Sequence, residues 1–192
     1  MKNLAVMLML TLAAAPLIAG EIHGKVTAKG VRDSSDAVVY VDKIAGKTFP
    51  PPSVHARMDQ KNMQFMPHVL PILAGTTVDF LNSDSVLHNV FSPDACAERM
   101  NLGTWPQGQI KSYTFKKECF ANLLCKVHPE MEGFVASLPT PYFAVTSPNG
   151  SYEIKDVPDG TYTVKVWHPR LKPAQSSVTV KGTTEQNFGI AK

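Results

Sequence analysis

Apolar residues recur at every second position along much of the chain: Val78 and Phe80, Tyr113 and Phe115, Leu123 and Cys125, then Phe134, Ala136 and Leu138. Successive side chains of a strand point to opposite faces, so a period of two predicts strands with one packed face and one wet face. Gly75, Asn82 and Gly108 punctuate these runs as turn residues. No stretch carries a sustained helical period, an internal repeat or low complexity. The expected fold class is all-β, with an antiparallel sandwich at its centre.

The carboxy-terminal third has its own rhythm. Ser147-Pro148-Asn149-Gly150 predicts a turn, Ser151-Tyr152-Glu153-Ile154 a short strand, Pro158-Asp159-Gly160 a second turn, and Thr161 to His168 a long alternating strand. Val178, Val180, Phe188 and Ile190 supply at least one more strand. A second, smaller β-sandwich is therefore expected beside the first.

The amino terminus breaks the pattern. Lys2 precedes an apolar run from Leu4 to Leu12, followed by small residues and Pro16, with Ala19 or Gly20 as the cleavage point. Residues 1–20 read as a secretory signal peptide, since the run is short for a spanning helix and contains Thr11 and Pro16. The expectation is an exported chain, periplasmic in a bacterium, with no membrane span after cleavage. The first 20 residues carry one charge, Lys2, and the remainder holds 18 Lys and Arg against 16 Asp and Glu. That balance, dispersed along the chain, points away from nucleic acid and from a charged membrane surface.

The three cysteines then change the picture. In an oxidising compartment Cys96 and Cys119 can pair, leaving Cys125 as a lone thiol, and an odd cysteine in an exported protein raises the question of a metal. Cys125 opens Cys125-Lys126-Val127-His128-Pro129-Glu130-Met131, in which a thiolate, an imidazole and a thioether stand three residues apart. A thiolate, two imidazoles and a weak axial methionine form the donor set of a blue-copper electron-transfer site. One tight loop can carry three of these donors, so the fourth must come from elsewhere. His88, following the polar turn Asn82-Ser83-Asp84-Ser85, is the favoured remote ligand, and His68 in Met66-Pro67-His68-Val69 is its competitor. Glu130 adjoins Met131 as a rival axial donor. Met58, Met63 and Met66 could bind Cu(I) but are read as packing. His23, His55 and His168 are read as surface or strand-end residues.

In these residues the chain resembles the cupredoxins, the small blue-copper electron carriers. The Cys-x-x-His-x-x-Met loop and the His88-Asn89 pair are most similar to those of the amicyanins. Gly108 to Phe115 is similar to the strand that precedes the copper-loop strand. The resemblance spans roughly residues 55 to 139. It implies one type 1 copper held by His88, Cys125, His128 and Met131, with Asn89 pinning neighbouring loops near the thiolate. It also favours His88 over His68, because the family's upstream ligand follows a strand such as Thr76 to Phe80, whereas His68 precedes it.

The carboxy-terminal segment Gly150 to Tyr162 resembles the regulatory, transthyretin-like sandwich that accompanies carboxypeptidases. Its missing opening strands look like Ile22-His23-Gly24-Lys25-Val26 and Ala37-Val38-Val39-Tyr40-Val41, and Tyr142 to Thr146 looks like the continuation. Residues 49–139 are then a cupredoxin domain inserted into a sandwich made from 21–48 and 140–192, with Phe49-Pro50-Pro51-Pro52 and Pro139-Thr140-Pro141 as crossings. The simpler alternative gives residues 21–48 to the copper domain.

The function these expectations imply is a periplasmic one-electron carrier, not an enzyme. Its partner would be a transient redox protein such as a cytochrome c or a periplasmic dehydrogenase or oxidase. The docking patch would surround His128, with Pro129, Phe91, Pro93 and Trp105 as candidates. Copper trafficking or storage is the alternative. The scattered histidines supply no second cluster for a copper oxidase or nitrite reductase. There is no His-Glu-x-x-His motif or nucleophile elbow for a peptidase.

Overall fold

A computed structural model describes residues 19–192. The proposed signal peptide therefore lies, apart from Ala19 and Gly20, outside the described residues. Those two residues begin the strand Ala19–Lys29. Among the described residues the structure is β throughout, apart from one short 3-10 turn at Ala95–Ala97. No helix among them is long and apolar enough to cross a membrane.

The strands divide into two pairs of sheets. In the first pair, one sheet runs in the order Val69–Leu73, Glu132–Leu138, Cys119–Leu124, His88–Phe91, Asn101–Trp105. The other runs Gln64–Met66, Ala56–Lys61, Thr77–Asn82, Ile110–Thr114. The second pair joins strands within 19–41 to strands within 143–191. Ala19–Lys29 lies between Ser151–Pro158 and the short strands Thr183–Glu185 and Phe188–Ala191. Val38–Val41 lies between Phe143–Val145 and Gly160–His168, with Leu171–Val180 beyond. The two chain crossings run side by side where Thr140 Oγ1 donates to the Val41 carbonyl at 2.7 Å and Val41 N–H donates to the Tyr142 carbonyl at 2.9 Å.

Two features differ from the simple antiparallel expectation. The sheets are mixed: Val69–Leu73 runs parallel to Glu132–Leu138, Ala56–Lys61 parallel to Thr77–Asn82, and Ala19–Lys29 parallel to both short strands near the carboxy terminus. The strand Glu132–Leu138 also has no wet face. Val135 packs into the first sandwich, while Phe134, Ala136 and Leu138 face the second, together with Val38, Tyr40 and Val69. Strand Val38–Val41 is buried on both sides for the same reason. Alternation is still present in both, but each face meets a different core.

The first sandwich packs Met58, Phe65, Val78, Phe80, Trp105, Phe115 and Leu123 around Cys125 and Met131. The second packs Ile22, Val26, Val39, Val41, Ile154, Val164 and Val166. Each fully buried aliphatic or phenyl side chain contributes about 1.5–3 kcal/mol by leaving water. Gly133 allows the hairpin strand Gln64–Met66 to close over the start of Glu132–Leu138. A Cβ there would stand 2.6 Å from Phe65 Cβ, and this close approach keeps Phe65 seated beside Met131.

Candidate metal centre

Three strand ends meet at one edge of the first sandwich. Cys125 follows Cys119–Leu124, His88 opens His88–Phe91, and Met131 precedes Glu132–Leu138. The donor atoms of His88, Cys125 and His128 all lie within 4.8 Å of one another, and no other His, Cys, Asp and Glu group of this kind occurs among the described residues. Cys125 and Met131 are buried in the same core. The Met131 N–H donates to the His128 carbonyl at 3.0 Å, closing the loop into a turn that carries the thioether inward.

The surrounding polar groups hold these donors in place. Asn89 N–H donates to Cys125 Sγ at 3.4 Å. The Asn89 side chain accepts from Lys126 N–H at 3.3 Å and donates to the Gly103 carbonyl at 2.8 Å and to Asn101 Oδ1 at 3.0 Å. Asn89 therefore ties the cysteine loop to the strand Asn101–Trp105. It is the backbone amide that meets the sulfur, while the side chain does the pinning.

Asp84 is a residue that sequence reasoning took for an ordinary turn. Its Oδ2 lies 2.9 Å from His88 Nε2, and the carboxylate accepts the Asn62 and Met63 amides at 2.7 and 2.9 Å. Desolvation works against the charge, but the hydrogen bonds from Met63, His88 and Asn62 outweigh it and hold the carboxyl below its ordinary value. An ionised Asp84 can only accept, so it takes the Nε2–H tautomer of His88 and leaves the Nδ1 lone pair free. That Nδ1 points at His128 Nδ1, 3.1 Å away. Two imidazole nitrogens turned toward each other beside a thiol, with His88 fully buried, form a donor set suited to a cation of intermediate softness. The residues present fit copper, and the thioether of Met131, buried in the same core, would add a soft donor.

His68 lies elsewhere. Its Nδ1 is 2.8 Å from Asp36 Oδ2, and that hydrogen bond raises its pKa above the ordinary value. His55 is similarly held by Asp79 at 2.8 Å. His168 ends its strand, one of the two positions expected for it, and is buried there. Cys96 and Cys119 form the expected disulfide, with Cα atoms 5.5 Å apart, and Cys125 remains the free thiol.

Two expectations about the surface need correction. Trp105 is 1% exposed and belongs to the core, so it cannot form a docking patch. Met58 packs as expected, but Met63 and Met66 are about half exposed. Met63 precedes the strand Gln64–Met66 and Met66 ends it, and the two-residue turn before the strand puts Asn62 and Met63 in left-handed backbone at φ 56° and 55°. Leu87 and Val127 are likewise exposed directly before His88 and His128 in the chain, and Val86 is exposed two residues before His88. These apolar residues were hidden in the sequence within polar turns.

Comparison with known proteins adds the following. Residues 139–187 match the family described as polysaccharide lyase family 4, domain II. No curated protein matches the chain. Among solved structures, a purple cupredoxin from Nitrosopumilus maritimus is 27% identical, covering 43% of this chain and 98% of its own, with a TM-score of 0.39. An amicyanin variant in its Cu(I) state is 21% identical, covering 53% of this chain and 98% of its own, with a TM-score of 0.42. A copper-containing nitrite reductase from Thermus scotoductus SA-01 is 24% identical, covering 52% of this chain and 25% of its own, with a TM-score of 0.43. The described residues form one β-sandwich that carries the His–Cys–His group and a second small β-domain, within which the family match falls.

Proposed function

We propose that this protein is a type 1 copper protein that carries single electrons between exported, periplasmic redox partners. The observation that carries the reading is the convergence of His88, Cys125 and His128 donor atoms within 4.8 Å, with Met131 buried beside them. Copper held by these residues would supply a Cu(I)/Cu(II) couple whose two states tolerate the same trigonal, axially weak ligand set.

The chain's own part is to keep that set from rearranging. Asp84 fixes the orientation of His88, Asn89 supplies an N–H to the thiolate, and the Met131–His128 backbone bond fixes the loop. Burial of Cys125 and His88 keeps water from the donors, while His128 stays partly exposed as the route to the surface. Exposed Val127, Leu87, Val86 and Pro129 around it suit a small transient interface with a cytochrome c or a periplasmic dehydrogenase or oxidase. The absence of an enzymatic role belongs to the same proposal: His55 and His68 stand apart from the His88, Cys125 and His128 group and form no second cluster of donors among the described residues.

The exposed thioethers of Met63 and Met66 favour a second reading, delivery of Cu(I) to another protein. The two are separated by reducing the copper-loaded protein with ascorbate and reoxidising it with ferricyanide in the presence of a Cu(I) chelator. A carrier completes repeated cycles with its copper retained. Transfer of the copper to the chelator on first reduction would contradict the carrier and support delivery.

A further inference from the structure

The ligand loop is held from outside its own sandwich. Glu132 directly follows Met131, and its Oε1 accepts from Asn122 Nδ2 at 3.3 Å. Its other carboxylate oxygen meets the guanidinium of Arg170, which belongs to the second sandwich. Arg170 lies in the two-residue turn between strands Gly160–His168 and Leu171–Val180.

That turn is delivered by a packed corner. The Arg170 N–H donates to Nδ1 of buried His168 at 3.0 Å, and Pro169 restricts the residue before it. Trp167 stacks on Phe120 at 4.6 Å between ring centroids, with planes 14° apart, and meets Phe134 edge-on at 5.8 Å. His68 and Asp36 make another bridge between the sandwiches, and together with His168 and Arg170 they line one cleft. The turn that carries the arginine is therefore held by a corner whose contacts join the two sandwiches.

We propose that Arg170 is a positioning residue for the copper site, by which the second sandwich restrains the Met131 end of the ligand loop and offsets the charge of Glu132 beside it. The inference rests on the carrier reading and gives the second sandwich a part in it. The pair is partly exposed, with side chains 59% and 22% accessible for Arg170 and Glu132, so its contribution to global stability is small. Its effect is local. A carboxylate near a site favours the more positive oxidised state, and a guanidinium opposes that preference.

The test compares Arg170→Met, Glu132→Gln and the double variant with the parent by protein-film voltammetry of the copper-loaded protein. The potential falls in Arg170→Met, rises in Glu132→Gln, returns close to the parent in the double variant, and is preserved in Arg170→Lys. Shifts of the same sign in both single variants, or a double variant displaced from the parent by as much as either single variant, would overturn the proposal. Amide hydrogen exchange in the metal-free protein provides an independent readout, with Met131 and Glu132 exchanging faster in Arg170→Met. Should the parent show no copper couple, the carrier reading fails by itself. Unchanged exchange at these amides would then overturn the positioning role, and faster exchange would uphold it.

Discussion

The two sandwiches use their interiors differently. The second buries an almost wholly aliphatic core, and its buried polar side chains, Thr140, Thr146 and His168, lie at crossings or strand ends. The first buries Gln60, Thr76, Asn82, His88, Asn89, Ser92 and Ser137, of which Asn82, His88 and Asn89 are tied into one network at the ligand edge. Burying polar groups is costly unless each finds a partner. Their concentration at one edge of the first sandwich marks where the chain gives up packing for a site. Changes in the second core should therefore alter stability with little effect on the site, whereas changes in the polar network should do the reverse.

The largest separation of this kind is expected from Ile154→Ala in the second core. Removing a fully packed isoleucine should cost about 2–5 kcal/mol in urea denaturation while leaving the copper spectrum unchanged. A comparable spectral change would mean that the two interiors are not independent. Replacing Cys96 and Cys119 together by alanine opens a bridge spanning 23 residues and should cost about 3 kcal/mol. Because Cys119 packs in the first core, this loss should expose the first sandwich preferentially to proteolysis.

A smaller effect, but one on the site itself, is expected for Asp84→Ala. Loss of the carboxylate that orients His88 should weaken copper affinity by about 10–100-fold in a chelator competition, with a loss of stability smaller than that of Ile154→Ala. The smallest effect concerns pH. Asp36 raises the folded-state pKa of His68, so the bridge it makes is fully present below the unfolded value of about 6.5 and is lost as pH rises through the folded pKa. With His68 partly exposed, the contribution is below about 1 kcal/mol. The stability gap between the parent and His68→Asn should close on going from acidic to alkaline pH. His168 has the opposite slope, because burial lowers its pKa. The comparison must therefore be made within the His68 pair of proteins.

The sequence carried the donors of the site more fully than their supports. Cys125, His128 and Met131 share one loop, so their spacing alone brought three of them together, and counting cysteines indicated the Cys96–Cys119 bridge. Asp84 was not legible as the partner of His88, because an aspartate in a polar turn has the same signature whether or not it meets an imidazole. The period of two at Phe134, Ala136 and Leu138 correctly indicated a strand. Alternation does not say what covers each face, and here a second sandwich replaces water. Parallel pairing was hidden for a related reason, since partners such as Val69 and Phe134 are remote in sequence. Trp105 looked like a surface candidate until its burial was seen, and Met63 looked like packing until the turn placed it outside.

In the proposed carrier, Cys125, His88 and His128 hold one copper as a type 1 centre. The most direct test of this is the visible absorption and electron paramagnetic resonance of the Cu(II)-loaded protein, recorded alongside Cys125→Ser. The account predicts an intense blue thiolate-to-copper band with narrow copper hyperfine splitting in the parent, and loss of both features in the variant. Persistence of the band in Cys125→Ser, or a colourless parent that binds Cu(II), would contradict it.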